Sequence, residues 1–158
     1  VISVMGRTFM KPVDCPFMAV DKALEEMPDN VNLKLVDIHA EATSDKQIMG
    51  NYLDGRVTAV FGTHTHVPTA DTTILPGGTA FQCDAGMTGP YASILGRKID
   101  RVTKAAITFE PVPFHVASGD VRICGVLVTA DPKTGKATAV ERYEKCVVTD
   151  VDYSSGSL

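Results

Sequence analysis

The apolar positions of the chain fall into short blocks separated by polar stretches with helical spacing. Val1–Gly6 (VISVMG) is a short apolar run closed by Gly, the pattern of a buried strand. Pro16–Met27 sets Pro at a first helical position and follows it with apolar residues at helical spacing, which predicts a helix. Val31–Ala42 predicts a second strand, and Thr43–Gly55 a second helix with Thr43 or Ser44 as N-cap and Gly55 as its stop. Val57–Gly62 supplies a third strand. This alternation is that of right-handed crossover units in a mostly parallel sheet.

The second half changes character. Thr72–Asp84 predicts a hairpin around Pro76, Gly77 and Gly78, and Val121–Val148 another around Asp131–Gly135. Between them Arg97–Phe109 predicts a helix, and the acidic, Ser-rich end 149–158 is expected to fray. No internal repeat or linker-like shift divides the chain. The fold class is α/β, a mixed sheet with a hairpin-rich second half.

The length of 158 residues fits one domain with a sizeable core. A formal net charge of -4 argues against a broad nucleic-acid surface, which rests on clustered Lys and Arg, but leaves room for a small phosphate ester held by metal ions. No apolar run is long enough to span a membrane, and the first residues lack the apolar core of a signal peptide, so a cytoplasmic location is expected. Cys15, Cys83, Cys124 and Cys146 form no Cys-x-x-Cys pair and read as reduced core residues. The chain begins with Val and already reads as a core strand there, as a fragment would.

Two of only four histidines, His64 and His66, stand one residue apart straight after the third predicted strand, and His39 ends the second. In a parallel sheet all three emerge at the carboxyl edge, where ligand sites of open α/β sheets collect. If the segment stays extended, the period of two sends His64 and His66 to one side and Thr65 to the other. Three imidazoles can form half of a metal site, and a two-metal site also needs a bridging carboxylate, for which Asp37, Glu41, Asp71 and Asp84 are candidates. A His-x-His in a turn is equally a surface pair, and His39 alone reads as structural, but two successive strands ending in His favour the metal reading. His115 has no partner of this kind and reads as structural.

Around these lie residues with a second-rank claim. Glu41 and Lys46, in the loop and helix start after His39, could face a phosphate, though solvation and capping explain them as well. Thr63 and Thr65 could orient the imidazoles, and Asp84 could accept a hydrogen bond from a ligand His or merely cap a turn. The glycines form no phosphate-binding loop pattern and serve turns.

GTHTHVPTAD (Gly62–Asp71) resembles the Gly-x-His-x-His ending of calcineurin-like metallophosphoesterases. VDIHAEATSDK, GTHTHVPTADTTILPGGTAFQCDAGM and CGVLVTAD, with VMGRTFM at the start, resemble more specifically the YmdB-like metallophosphoesterases, from Val1 through Tyr143. The resemblance implies a four-layer α/β sandwich with two divalent metal ions, iron or manganese. It implies His39 and His64 as ligands of one ion and His66 as a ligand of the other. It further implies hydrolysis of phosphodiesters, with 2',3'-cyclic nucleotides as substrates, by a hydroxide bridging the ions.

The family's Gly-Asp, Gly-Glu-Asn and Gly-Asn-His motifs have no counterpart here; Gly50-Asn51 and Gly119-Asp120 are not placed after strands. Residues 1–148 therefore read as the C-terminal portion of a single metallophosphoesterase domain. The isolated chain is expected to be inactive, with one flank of its sheet unpaired, and to need the missing N-terminal half or a partner chain; a homo-oligomer is a further expectation. The alternatives are a non-catalytic half-site or scaffold module, and a self-sufficient three-histidine hydrolase with one metal.

Overall fold

The computed structural model describes residues 1–148; the expected frayed tail 149–158 lies outside the described residues. Its contacts gather into two units, one formed by 1–86 with 125–143, the other by 87–124 with the segment that begins at Glu144.

The first unit holds a five-stranded mixed sheet. β1 (Ile2–Met5), β2 (Leu35–His39), β3 (Ala59–Thr63) and β5 (Ala80–Gln82) run parallel in that order, and β4 (Thr73–Ile74) closes the far edge antiparallel to β5. β1 is an edge strand with β2 as its neighbour among the described residues. Helices α1 (Pro16–Glu25) and α2 (Thr43–Tyr52) fill the two crossovers, as the alternation predicts.

Strand alternation decides which residues meet them. Val36 and Ile38 of β2 and Val60 of β3 bury against Val20 of α1, Met49 of α2 and Leu53 just past its end. Each fully buried aliphatic side chain of this kind contributes about 1.5–3 kcal/mol. The opposite parity, Leu35, Ala59 and Ala80, packs on Val128, Ala137 and Val140. Both faces of the sheet are therefore covered near its middle, while its carboxyl edge carries Met5, His39 and Thr63 in one register row.

Several boundaries differ from expectation: β2 keeps only Leu35–His39 of Val31–Ala42, α1 stops at Glu25, and both ends of α2 shift. The N-cap of α2 is Ala42, with no side-chain cap, so Thr43 and Ser44 are its first helical residues. The first-turn carboxylate, Asp45, turns outward and accepts from the N–H groups of Arg7 and Thr8 at 2.8 and 2.9 Å and from the Thr8 hydroxyl, which fastens the loop after β1 to the helix. The helix ends at Tyr52, and Gly55 serves the following turn at φ 81 rather than the stop itself.

The hairpins form where predicted. The β4–β5 turn closes with Leu75 N–H on Thr79 O and Gly78 N–H on Leu75 O. β7 (Val121–Ala130) and β8 (Ala137–Val148) are joined through a turn in which Asp131 N–H donates to Lys136 O. A short strand that the pattern does not announce, β6 (Gly89–Pro90), pairs antiparallel with β7 in the second unit. That unit also carries α3 (Ile99–Thr108), which ends on Phe109 in the left-handed conformation. Cys15, Cys83 and Cys124 carry free thiols, and among the described residues no helix is long and apolar enough to cross a membrane.

Candidate functional site

β2 and β3 are parallel neighbours, and His39 is paired in register with Thr63, so the last residue of each strand lies at the same height on the sheet edge. The chain then turns sharply. His64 has φ 103 and His66 φ 66, left-handed conformations that non-glycine residues rarely adopt. The expectation of an extended segment with His64 and His66 on one side is thereby overturned: β3 ends at Thr63, and strand alternation does not continue into the histidines.

Gly62 makes this approach possible. A Cβ there would stand 1.8 Å from the carbonyl oxygen of Cys83 and 2.6 Å from Cδ of Lys46. Without one, the end of β3 lies directly on the segment that follows β5, and Ala85 N–H donates to Gly62 O at 2.8 Å.

The turn brings His64 onto His39. Nδ1 of His64 is 3.0 Å from Nε2 of His39, with the rings edge to face at 4.7 Å between centroids. The outer nitrogen of each ring has its own partner. Nδ1 of His39 is 3.0 Å from the hydroxyl of Thr63, which donates to Asp37 at 2.8 Å, so the hydroxyl is left to accept from the imidazole N–H. Ser3 donates to the other oxygen of Asp37 at 3.0 Å. Nε2 of His64 lies 2.9 Å from the carboxylate of Glu41, an acceptor that favours a proton on that nitrogen.

In neutral rings these acceptors favour protons on the outer nitrogens and leave lone pairs on the two that face each other, so that a proton or a cation between them completes the 3.0 Å contact. Two nitrogen donors at about 2.1 Å from one ion subtend roughly a right angle when they are this far apart, so the pair fits two ligands of a single metal. His66 is exposed and is not brought to the pair. Among the described residues no three His, Cys, Asp or Glu side chains gather as a set that could hold an ion.

The remaining expected residues sort by what they touch. Asp84 is 1% exposed, and no imidazole reaches it. The expected hydrogen bond from a ligand His is replaced by bonds from Lys46 Nζ at 2.8 Å, Thr65 N–H at 3.0 Å, the Thr65 hydroxyl at 2.7 Å and Gly86 N–H at 2.9 Å. Burial alone would raise its carboxyl; the Lys46 ammonium, the Thr65 hydroxyl and the two N–H groups outweigh burial and hold it below the ordinary carboxylate range. Lys46 is likewise 1% exposed and paired inward, so it is not presented to a phosphate.

Of the four candidate bridging carboxylates, Glu41 touches His64 directly and Asp37 reaches His39 through Thr63. Asp71 accepts from Cys83 N–H, and Asp84 is enclosed as described. His115 is exposed and lies in the second unit.

Thr63 meets an imidazole as expected, whereas the continuation of the relay through Asp37 to Ser3 goes beyond the sequence reading. Its signal was present, since Asp37 and His39 share one strand parity and so one face of the sheet. On the other face a cavity of about 220 Å³, lined by Gly6, Pro16, Phe17, Ile38 and Ile48, has its carboxylate, Asp45, fully engaged with Arg7 and Thr8.

The family model described as "YmdB-like protein" matches residues 1–143. A relative from Bacillus subtilis, named 2',3'-cyclic-nucleotide 2'-phosphodiesterase, is 48% identical over 142 residues, 90% of this chain and 54% of its own length. A crystal structure of a hypothetical protein from Thermus thermophilus superposes with a TM-score of 0.85 at 45% identity, covering 91% of this chain and 56% of the other. A crystal structure described as a novel phosphatase from Mycoplasma pneumoniae gives 0.84 at 31%, covering 94% and 53%. The chain thus spans about half the length of the relatives it matches.

Proposed function

Because the chain belongs to the YmdB-like family, we propose that it forms part of a metal-dependent phosphodiesterase acting on small phosphodiesters, with 2',3'-cyclic nucleotides as substrates. The observation that carries this reading is the pair of facing imidazole nitrogens, 3.0 Å apart, each with its other nitrogen committed to an acceptor. The name of the Bacillus subtilis relative supports the substrate class.

In this reading His39 and His64 hold one ion and His66 serves a second. Bound ions supply Lewis acidity, drawing charge from phosphoryl oxygens and making water available as a nucleophile at neutral pH. The chain's own residues prepare the donors. Asp37 and Thr63 keep the proton of His39 on Nδ1 and leave Nε2 free; Glu41 does the same for His64 with the nitrogens reversed. Such acceptors behind metal-binding imidazoles both fix the tautomer and raise ligand basicity.

The further ligands come from residues outside this chain, and the isolated 158-residue polypeptide does not turn over substrate. That part of the proposal rests on the two-donor geometry among the described residues. The free thiols of Cys15, Cys83 and Cys124 support a reducing, cytoplasmic setting.

The test is hydrolysis of 2',3'-cyclic AMP by the full-length protein that carries this chain, with metal content measured on the same samples. His64→Ala is expected to lower kcat/KM by about 100-fold or more and to reduce the bound metal. Hydrolysis and metal content both equal to the parent would overturn the proposal.

A further inference from the structure

Asp84 lies away from the facing imidazoles, yet it governs the backbone between His64 and His66. One carboxylate oxygen, Oδ2, accepts from three donors: the Lys46 ammonium, the Thr65 N–H and the Thr65 hydroxyl. The other takes the N–H of Gly86. The main chain of the same residue continues the stitching. Asp84 N–H donates to the Thr69 hydroxyl at 2.9 Å, and Thr69 N–H donates to Asp84 O at 3.1 Å. The turn from His64 to Thr69 is therefore tied down at Thr65 and again at Thr69, both times to Asp84.

That tether acts where the backbone is least able to hold itself. His64 and His66 flank Thr65, both with positive φ, and such conformations persist in non-glycine residues only where the surroundings over-determine them. Beside the contacts of the His64 ring with His39 and Glu41, the surroundings include one buried ion pair that holds Thr65, with side chains 2% and 1% exposed. Lys46 reaches Asp84 from α2, whose Met49 lies in the core together with the C-cap residue Leu53, so the anchor stands on a packed element.

We propose that Asp84, anchored by Lys46 and acting through Thr65, is the positioning residue that holds His64 and His66 in their left-handed turn and thereby sets the affinity of the site for its metal. The inference rests on the reading of these imidazoles as metal ligands. It adds that the Thr65 hydroxyl, which touches neither imidazole, controls how well they capture an ion.

The experiment compares Thr65→Val, Thr65→Ser and His64→Ala in the full-length protein. Mn²⁺ is titrated calorimetrically into the metal-stripped proteins, and ring-nitrogen NMR of the histidines is recorded on the same samples before metal is added. Thr65→Val keeps the shape of the side chain and is expected to fold. It should weaken Mn²⁺ binding about tenfold and broaden or shift the His64 ring signals, with its Tm within a few degrees of the parent. Thr65→Ser, which keeps the hydroxyl, should restore affinity to within about twofold.

If Thr65→Val binds Mn²⁺ like the parent and keeps the parent's ring spectrum while His64→Ala loses binding, the positioning role is overturned and the ligand role stands. If His64→Ala binds Mn²⁺ as the parent does, the ligand reading fails and this inference fails with it. Lys46→Met offers a second variant that removes the ammonium and leaves Thr65 intact; the same ring-signal shift is expected, and its absence counts against the anchor.

Discussion

Nε2 of His39 and Nδ1 of His64 meet at 3.0 Å although the two residues are 25 apart in the chain. Parallel pairing of β2 with β3 sets the ends of the strands side by side, and the left-handed turn at His64 then folds its ring back over His39. A hydrogen bond between the rings requires a proton on one of the facing nitrogens. In neutral rings Thr63 and Glu41 draw those protons to the opposite sides, and in the proposed function a cation takes the place between the facing nitrogens.

Cutting the relay behind His39 tests that placement of the protons. Thr63→Val removes the hydroxyl between His39 and Asp37 and leaves Asp37 bonded to Ser3. The His39 ring should then populate both tautomers, visible in its ring-nitrogen shifts, and metal affinity should fall about tenfold. A single, unchanged tautomer in the variant would mean that the hydroxyl does not set it.

Glu41 is a different case because it is half-exposed. Its side chain is 51% exposed, so the pair with His64 contributes little to stability in water. Glu41→Ala should leave Tm within about 2 °C of the parent while weakening Mn²⁺ binding by about 2- to 10-fold. Thermal melting and metal titration of the same preparation check both halves, and a large loss of Tm would assign Glu41 to the fold instead.

The sequence pattern carried the crossover elements because core burial follows strand and helix periods that local composition already displays, as Val36 and Ile38 against Met49 and Leu53 illustrate. It located His39 and His64 at one sheet edge for the same reason. It failed at His66 because strand alternation was extended through a turn, and nothing in the letters His-Thr-His announces a positive φ. Asp84 and Lys46 were singled out with other roles: 38 residues separate them, and only the packed structure reveals that each neutralises the other. The cap of α2 falls one residue before Thr43, on Ala42, whose side chain offers no capping acceptor and so leaves no local signal of the start.

Gly62 tests how tightly β3 must approach the chain after β5. Gly62→Ala would place a methyl group inside the van der Waals radius of Cys83 O, a backbone atom that cannot move without shifting Asp84. A loss of at least about 3 kcal/mol in unfolding free energy is expected, as for other severe clashes in a core. Urea denaturation measures it, and a loss below about 1 kcal/mol would show that the two segments can separate cheaply.

The buried carboxylate gives a pH signature. Asp84 has its pKa held below the ordinary value, against burial, by Lys46, Thr65 and Gly86. For such a group the folded state binds its proton less readily than the unfolded state. Its stabilising contribution is therefore fully present above the unfolded value of about 3.9 and is lost as pH falls through the lower folded value. Asp84→Asn lacks this contribution at every pH and leaves the Lys46 ammonium buried without its partner, a cost of about 3–5 kcal/mol. The difference in unfolding free energy between parent and Asp84→Asn should thus stay constant from about pH 7 to pH 5 and narrow below about pH 4. The other lowered carboxyls, including Asp45, are common to both proteins and cancel in the comparison. A difference that instead widens on acidification would reverse the sign of the shift and remove the ion pair as its cause.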